Sequence, residues 1–122
     1  MRLSFIQLSA FRANWKRLGM TDADLRSLEG AILAHPLKSP VMPGTGGLRK
    51  IRFSGHASTS GKSGGVRVCY ACFAEYGLVY FCAVFPKNEK ANLSRSEANE
   101  YRQVLAEFDR YLREYFRKGW TP

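Results

Sequence analysis

The chain opens on LSFIQLS, a short apolar run that reads as an edge strand. It passes directly into SAFRANWKRLG, where Phe11, Trp15 and Leu18 recur at spacings of four and three. That spacing lines one face of a short helix, and Gly19 stops it. MTDADLRSLEGAILAHP predicts a second helix. Thr21 stands as its N-cap, with Asp22 and Asp24 in the first turn, where negative charge suits the helix dipole. Leu25, Leu28, Ile32 and Leu33 supply its apolar face, and His35-Pro36 ends it because the residue before proline avoids the helical region. LKSPVMPGTGG is a connector. LRKIRFS then reads as a strand, and VRVCYACFA and LVYFCAVF, around the turn EYG, read as a hairpin. After the loop PKNEKANLS, Ser94 with Glu97 forms a capping box. It starts a helix to about Lys118, with Ala98, Tyr101, Leu105, Phe108, Leu112 and Tyr115 as its apolar stripe. Two N-terminal helices, a small antiparallel twisted sheet and one C-terminal helix predict an α+β fold, read as a single domain over residues 1–122.

Length and composition agree with this and remove several function classes. A chain of 122 residues, 45% hydrophobic, can build a real core as one globular domain. No apolar run approaches the ~20 residues needed to span a bilayer. The first residues lack the long apolar core and cleavage site of a signal peptide, so a cytoplasmic protein with no membrane partner is expected. Cys69, Cys72 and Cys82 suit a reducing compartment. CYAC has the spacing of a metal or redox pair, but it lies in a strand, where residues three apart point to opposite faces. No second ligand pair accompanies it. No metal and no cofactor are expected.

Charge changes the picture more. The formal net charge is +9, which calls for a polyanionic partner: nucleic acid, an acidic protein or an anionic membrane. The excess sits in the middle of the chain. Arg49, Lys50, Arg52, Lys62, Arg67, Lys87 and Lys90 face only Glu75 and Glu89 there, whereas the last helix carries mixed charge. Strand alternation sorts these bases. Arg49 goes with Ile51 and Phe53; Lys50 and Arg52 share the other face with Leu48; Arg67 is opposite in parity to Val66, Val68 and Tyr70. Adjacent strands can therefore bring Lys50, Arg52, Arg67 and Lys87 onto one concave surface. Such a surface suits a phosphodiester backbone or the charge that builds on a phosphate during cleavage. The same residues also serve plain solubility and edge protection.

The stretch GHASTSGKSGG, Gly55 to Gly65, imitates a nucleotide-binding loop, since Gly61-Lys62-Ser63 fits the end of G-x-x-x-x-G-K-[ST]. The first glycine of that pattern would fall at His56. The loop also leads into a strand, whereas a phosphate loop must lead into a helix whose N-terminus holds the anion. It reads instead as a hairpin loop beside the basic surface, with His56 close by as a candidate for proton transfer or a solvated loop residue. Tyr70, Tyr76 and Tyr80 read as packing residues, and no Ser-His-Asp arrangement is present.

Three ordered segments carry a resemblance. GTGGLRKIRF, GKSGGVRVCY and FPKNEKANLS, spanning roughly Pro43 to Leu105, resemble the RelE/ParE superfamily, in particular its HigB-like branch. The resemblance implies a RelE-like fold and the toxin of a type II toxin–antitoxin system. Such a toxin enters the ribosomal A site and cuts mRNA without a metal. The 2′-hydroxyl attacks the adjacent phosphate, leaving a cyclic phosphate and a 5′-hydroxyl. By motif, Arg67 and Lys87 are implied to hold the scissile phosphate, with Lys50 and Arg52 assisting proton transfer or binding the flanking backbone. Arg49, Lys62, Lys90 and His56 are implied RNA contacts. The implied partners are the ribosome, mRNA and a small helix-turn-helix HigA-like antitoxin, in a hetero-oligomer. The Tyr or His that many ribonuclease members carry near the C-terminal end has no certain equivalent in ANLSRSEANEY, which leaves the general base unassigned. A ParE-like gyrase inhibitor and a non-catalytic relic that binds antitoxin or nucleic acid are the alternatives. Pulse-labelling after induction separates the three: an early translation block is expected, a DNA-damage response would indicate gyrase inhibition, and neither response a relic.

Overall fold

A computed structural model describes residues 2–55 and 65–119. Along the chain run β1 (Ser4–Gln7), α1 (Ser9–Arg17), α2 (Asp22–Ala34), β2 (Leu48–Phe53), β3 (Val66–Phe73), β4 (Leu78–Pro86) and α3 (Arg95–Arg117). The strands form a single sheet in the order β1-β4-β3-β2. β2, β3 and β4 are an antiparallel meander, as the hairpin signals require. β1 takes the edge and pairs parallel with β4, which makes the sheet mixed. This parallel pairing is possible because α1 and α2 intervene between β1 and the meander, giving the chain room to cross over.

Helices cover both faces. On one, Phe11 and Trp15 of α1 and Leu28 and Ile32 of α2 pack with Val68, Tyr70, Val79 and Phe81. On the other, Tyr101, Leu105 and Phe108 of α3 pack with Leu48, Cys69, Ala71, Cys82 and Phe85. Burial of each large apolar side chain contributes about 1.5–3 kcal/mol, so the sheet is held from both sides. The capping boxes are formed: Thr21 Oγ1 accepts from the Asp24 N–H at 3.0 Å, and Ser94 Oγ from the Glu97 N–H at 3.1 Å. One residue of the expected α2 face departs from the prediction. Leu33 is 43% exposed, because α2 buries the narrower stripe through Leu28 and Ile32.

The GTGG segment sets the start of β2. Thr45, 1% exposed, donates its hydroxyl to the Met42 carbonyl at 2.7 Å and accepts from the Leu48 N–H at 3.0 Å. Gly46 has φ +73°, and a Cβ there would meet Arg102 of α3 at 3.2 Å. Beyond β2, Gly65 has φ +77°, and a Cβ there would stand 2.1 Å from the Phe53 carbonyl oxygen. Only glycine closes the base of that hairpin.

One irregularity decides which way β4 points. Cys69 pairs with Ala83 but Tyr70 with Phe81, so Cys82 is an extra residue in β4, a β-bulge. Strict alternation from Tyr80 and Cys82 would put Val84 on the α3 face. The bulge sends Val84 to the α1–α2 side and brings Ala83 and Phe85 to the α3 side. The bulged carbonyl finds a partner in α3, where the Tyr101 hydroxyl donates to Cys82 O at 3.1 Å. Tyr101→Phe leaves that carbonyl without this donor and is expected to lower stability by about 1–2 kcal/mol. The expected readout is a lower urea midpoint with an unchanged slope; an unchanged midpoint would show that the hydroxyl does not hold the bulge.

Candidate nucleic-acid interface

The register of the meander builds the site. Arg52 of β2 stands directly opposite Arg67 of β3, and Arg67 opposite Phe85 of β4. The next row toward α3 is Lys50, Cys69 and Ala83. Directly paired residues on antiparallel strands point to the same side, so Lys50, Arg52 and Arg67 share the face on which α3 packs. They lie near the end of the sheet where α3 begins. Lys50 Nζ approaches Asn92 Oδ1 at 3.5 Å, just before the helix. Arg67 is the deepest of the three, 8% exposed; Lys50 is half-buried and Arg52 exposed. Lys87 is exposed in the turn that follows Pro86.

Two carboxylates border this cluster, and both are engaged elsewhere. Glu89 forms a two-pronged ion pair with Arg17 of α1, each N–O distance 3.2 Å. Glu97 accepts Lys90 Nζ at 2.7 Å through one oxygen and the Ser94 N–H at 2.8 Å through the other. Among the described residues no carboxylate forms an ion pair with Lys50, Arg52 or Lys87. The cluster therefore presents net positive charge to whatever approaches it.

The other sequence candidates fall differently. Arg49 lies on the opposite face, paired with Tyr70. Its guanidinium donates to the carbonyls of Leu37 at 3.0 Å and Ser39 at 2.6 Å, and Tyr70 Oη donates to Pro36 O at 3.0 Å. Arg49 thus pins the connector after α2, and strand parity turns it away from Lys50 and Arg52. Lys90 reaches the right side, but its ammonium is held by Glu97 and sits 5.0 Å from the Phe85 ring centre. His56 and Lys62 lie outside the described residues.

Cys69, Cys82, Tyr70, Tyr80 and Tyr101 are packing groups. Burial pushes the thiols of Cys69 and Cys82 up to about 12. Burial also pushes the Tyr101 phenol up to about 12, and those of Tyr70 and Tyr80 upward. None of these ionises at neutral pH. Tyr80 stacks on Phe108 and Tyr76 on Phe116. Among the described residues no three His, Cys, Asp or Glu gather as a metal-binding group, and no helix is long and apolar enough to cross a membrane. Sequence reasoning missed the Arg17–Glu89 tie between α1 and the Lys87 turn, which joins residues far apart in the chain. It found Glu97 as a cap but not the partner of its second oxygen.

No protein-family model matches the chain. Among solved structures it is similar to the toxin RelE of E. coli, a mutant with two arginines changed to alanine, in the free state. The TM-score is 0.55 with 17% identity, over 82% of this chain and 97% of that one. The chain thus has the RelE-like α+β fold, as the three sequence segments imply.

The Lys90 hydrogen bond, followed by the Ser94 backbone N–H, holds the Glu97 carboxyl below its ordinary value of 4.5. Stability from the ionised group is therefore present above that value and lost as pH falls through the lower folded value. Glu97→Gln keeps the capping box but removes the charge. It is expected to be less stable than the wild type at pH 7 by ~0.5 kcal/mol, as for an exposed pair. The gap should close as the pH drops below about 4.5. Thermal melts across pH check this; a gap independent of pH would show that the ion pair contributes nothing.

Proposed function

We propose that this chain is a toxin of a type II toxin–antitoxin system, of the HigB-like kind, that cuts mRNA in the ribosomal A site. The observation that carries the reading is the row Arg52–Arg67 with Lys50 beside it, on one face of a RelE-like sheet and without a carboxylate ion pair to Lys50 or Arg52. The partners are the ribosome and mRNA. A small helix-turn-helix antitoxin of the HigA kind neutralises the toxin in a hetero-oligomer in the cytoplasm.

In this mechanism the RNA supplies its own nucleophile. The 2′-hydroxyl gives its proton to solvent water, the 2′-oxygen forms a bond to phosphorus, the bond from phosphorus to the 5′-oxygen breaks, and the 5′-oxygen takes up a proton, leaving a cyclic phosphate and a 5′-hydroxyl. Negative charge grows on the non-bridging oxygens as the 2′-oxygen attacks. Arg67 and Lys87 hold that phosphate; the buried position of Arg67 strengthens its field, because a fixed charge acts more strongly where water is excluded. Arg52 cannot give up its proton in a protein, so it binds backbone phosphate. Lys50 carries a proton that it can give to the departing 5′-oxygen. The scarcity of free carboxylates around the cluster fits catalysis by positioning and charge.

Arg67→Ala and Lys87→Ala are each expected to slow A-site cleavage roughly 100-fold or more, as does removal of a single group that stabilises transition-state charge. Primer extension on programmed ribosomes reads this out. Intact mRNA after incubation with the folded wild-type protein would overturn the cleavage reading. Cleavage that persists in both variants would overturn the site.

A further inference from the structure

Charge along α3 is uneven. Arg110 pairs with Glu107, Arg113 with Asp109 and Arg117 with Glu114, so the C-terminal half compensates its own arginines. The other two arginines of the helix, Arg95 and Arg102, have no carboxylate ion pair among the described residues; Arg102 only donates to Asn99 Oδ1, at 2.8 Å. Arg95, Ala98, Asn99 and Arg102 follow the i, i+3, i+4, i+7 spacing of one helix face. Glu100, the carboxylate nearest in sequence to Arg102, falls on the far side of the helix and does not line the cleft described next.

That face does not open onto bare solvent. With Pro43 and Gly44 of the GTGG segment it encloses an open cleft of about 390 Å³, at the lower end of ligand-sized sites. The close approach of Gly46 to Arg102 fixes the opposite wall, and Thr45 anchors the segment from inside. Leu93 and Ser94 also line the cleft, immediately after Asn92, which contacts Lys50. The cleft therefore adjoins the basic sheet face along a continuous stretch of chain. The first turn of α3 is already capped by Ser94 and Glu97, so the attraction for an anion comes from the two guanidinium groups.

We infer that the cleft between the GTGG segment and α3 is a second phosphodiester subsite, in which Arg95 and Arg102 grip RNA backbone that extends beyond the Lys50–Arg52–Arg67 cluster. This rests on the RNA-cutting reading above for the identity of the polyanion. Arginine suits the task because its planar fork pairs two-pronged with phosphate oxygens. The backbone comes either from the mRNA flanking the cut or from ribosomal RNA, and the two sources are separable.

The test compares the wild type with the double variant Arg95→Gln/Arg102→Gln, with matching circular dichroism and thermal midpoints as the check on folding. One arm measures binding of a labelled single-stranded RNA 12-mer over a salt series. If mRNA fills the cleft, the slope of log affinity against log salt falls by about 1.4, at roughly 0.7 per phosphate contact on a single strand. The second arm measures binding to ribosomes without mRNA; a weaker complex there, with unchanged oligonucleotide binding, assigns the cleft to ribosomal RNA. Unchanged binding in both arms overturns the subsite. Cleavage assayed alongside separates the two ideas: a wild type that cuts, with unchanged binding in the variant, removes the subsite alone. A wild type that binds RNA through these arginines but does not cut removes the nuclease reading and leaves the subsite.

Discussion

The seating of α3 beside the basic face depends on one extra residue in a strand. Cys82 inserts into β4, and the register shift turns Phe85 to the side of α3, opposite Arg67. Phe85 then gives Lys90 an aromatic face to lie over, and Lys90 meets Glu97 in the first turn of α3. The Tyr101 hydroxyl, donating to the bulged carbonyl, ties the helix to the irregularity that aims the strand. Bulges commonly re-aim side chains near functional sites. Here the bulge brings Ala83 and Phe85 to the α3 side, next to the bases that β2 and β3 supply.

Two arginines meet across the strands on that face. Arg52 and Arg67 are direct cross-strand partners, and like charges directly opposite each other destabilise a sheet. Glu89 and Glu97 are tied to Arg17 and Lys90. A bound polyanion would offset the opposition of the two arginines.

Much of this was legible in the chain. Helical spacing found α1, α2 and α3, the Thr21 N-cap and the Ser94–Glu97 capping box marked two of their starts, and β-alternation separated Lys50 and Arg52 from Arg49. Alternation works on β2 because each residue has one partner in register. It fails on β4, where no local signal distinguishes Cys82 from its neighbours as the bulged residue, so the facing of Phe85 could not be read. Arg49 was expected at RNA because its type and neighbours are basic; its bonds to Leu37 and Ser39 depend on where the connector folds back. The Arg17–Glu89 tie and the cleft at Arg95 and Arg102 arise from tertiary packing between segments that carry no shared motif.

The proposed function has RNA cut by its own 2′-hydroxyl, with placed cations around the phosphate. End-group analysis of mRNA fragments released on ribosomes, with chelator present during the protein step, addresses that most directly. The account predicts 2′,3′-cyclic phosphate and 5′-hydroxyl ends, formed at the same rate with chelator as without. Fragments ending in 3′-hydroxyl and 5′-phosphate, or cleavage abolished by the chelator while the ribosomes stay intact, would contradict it.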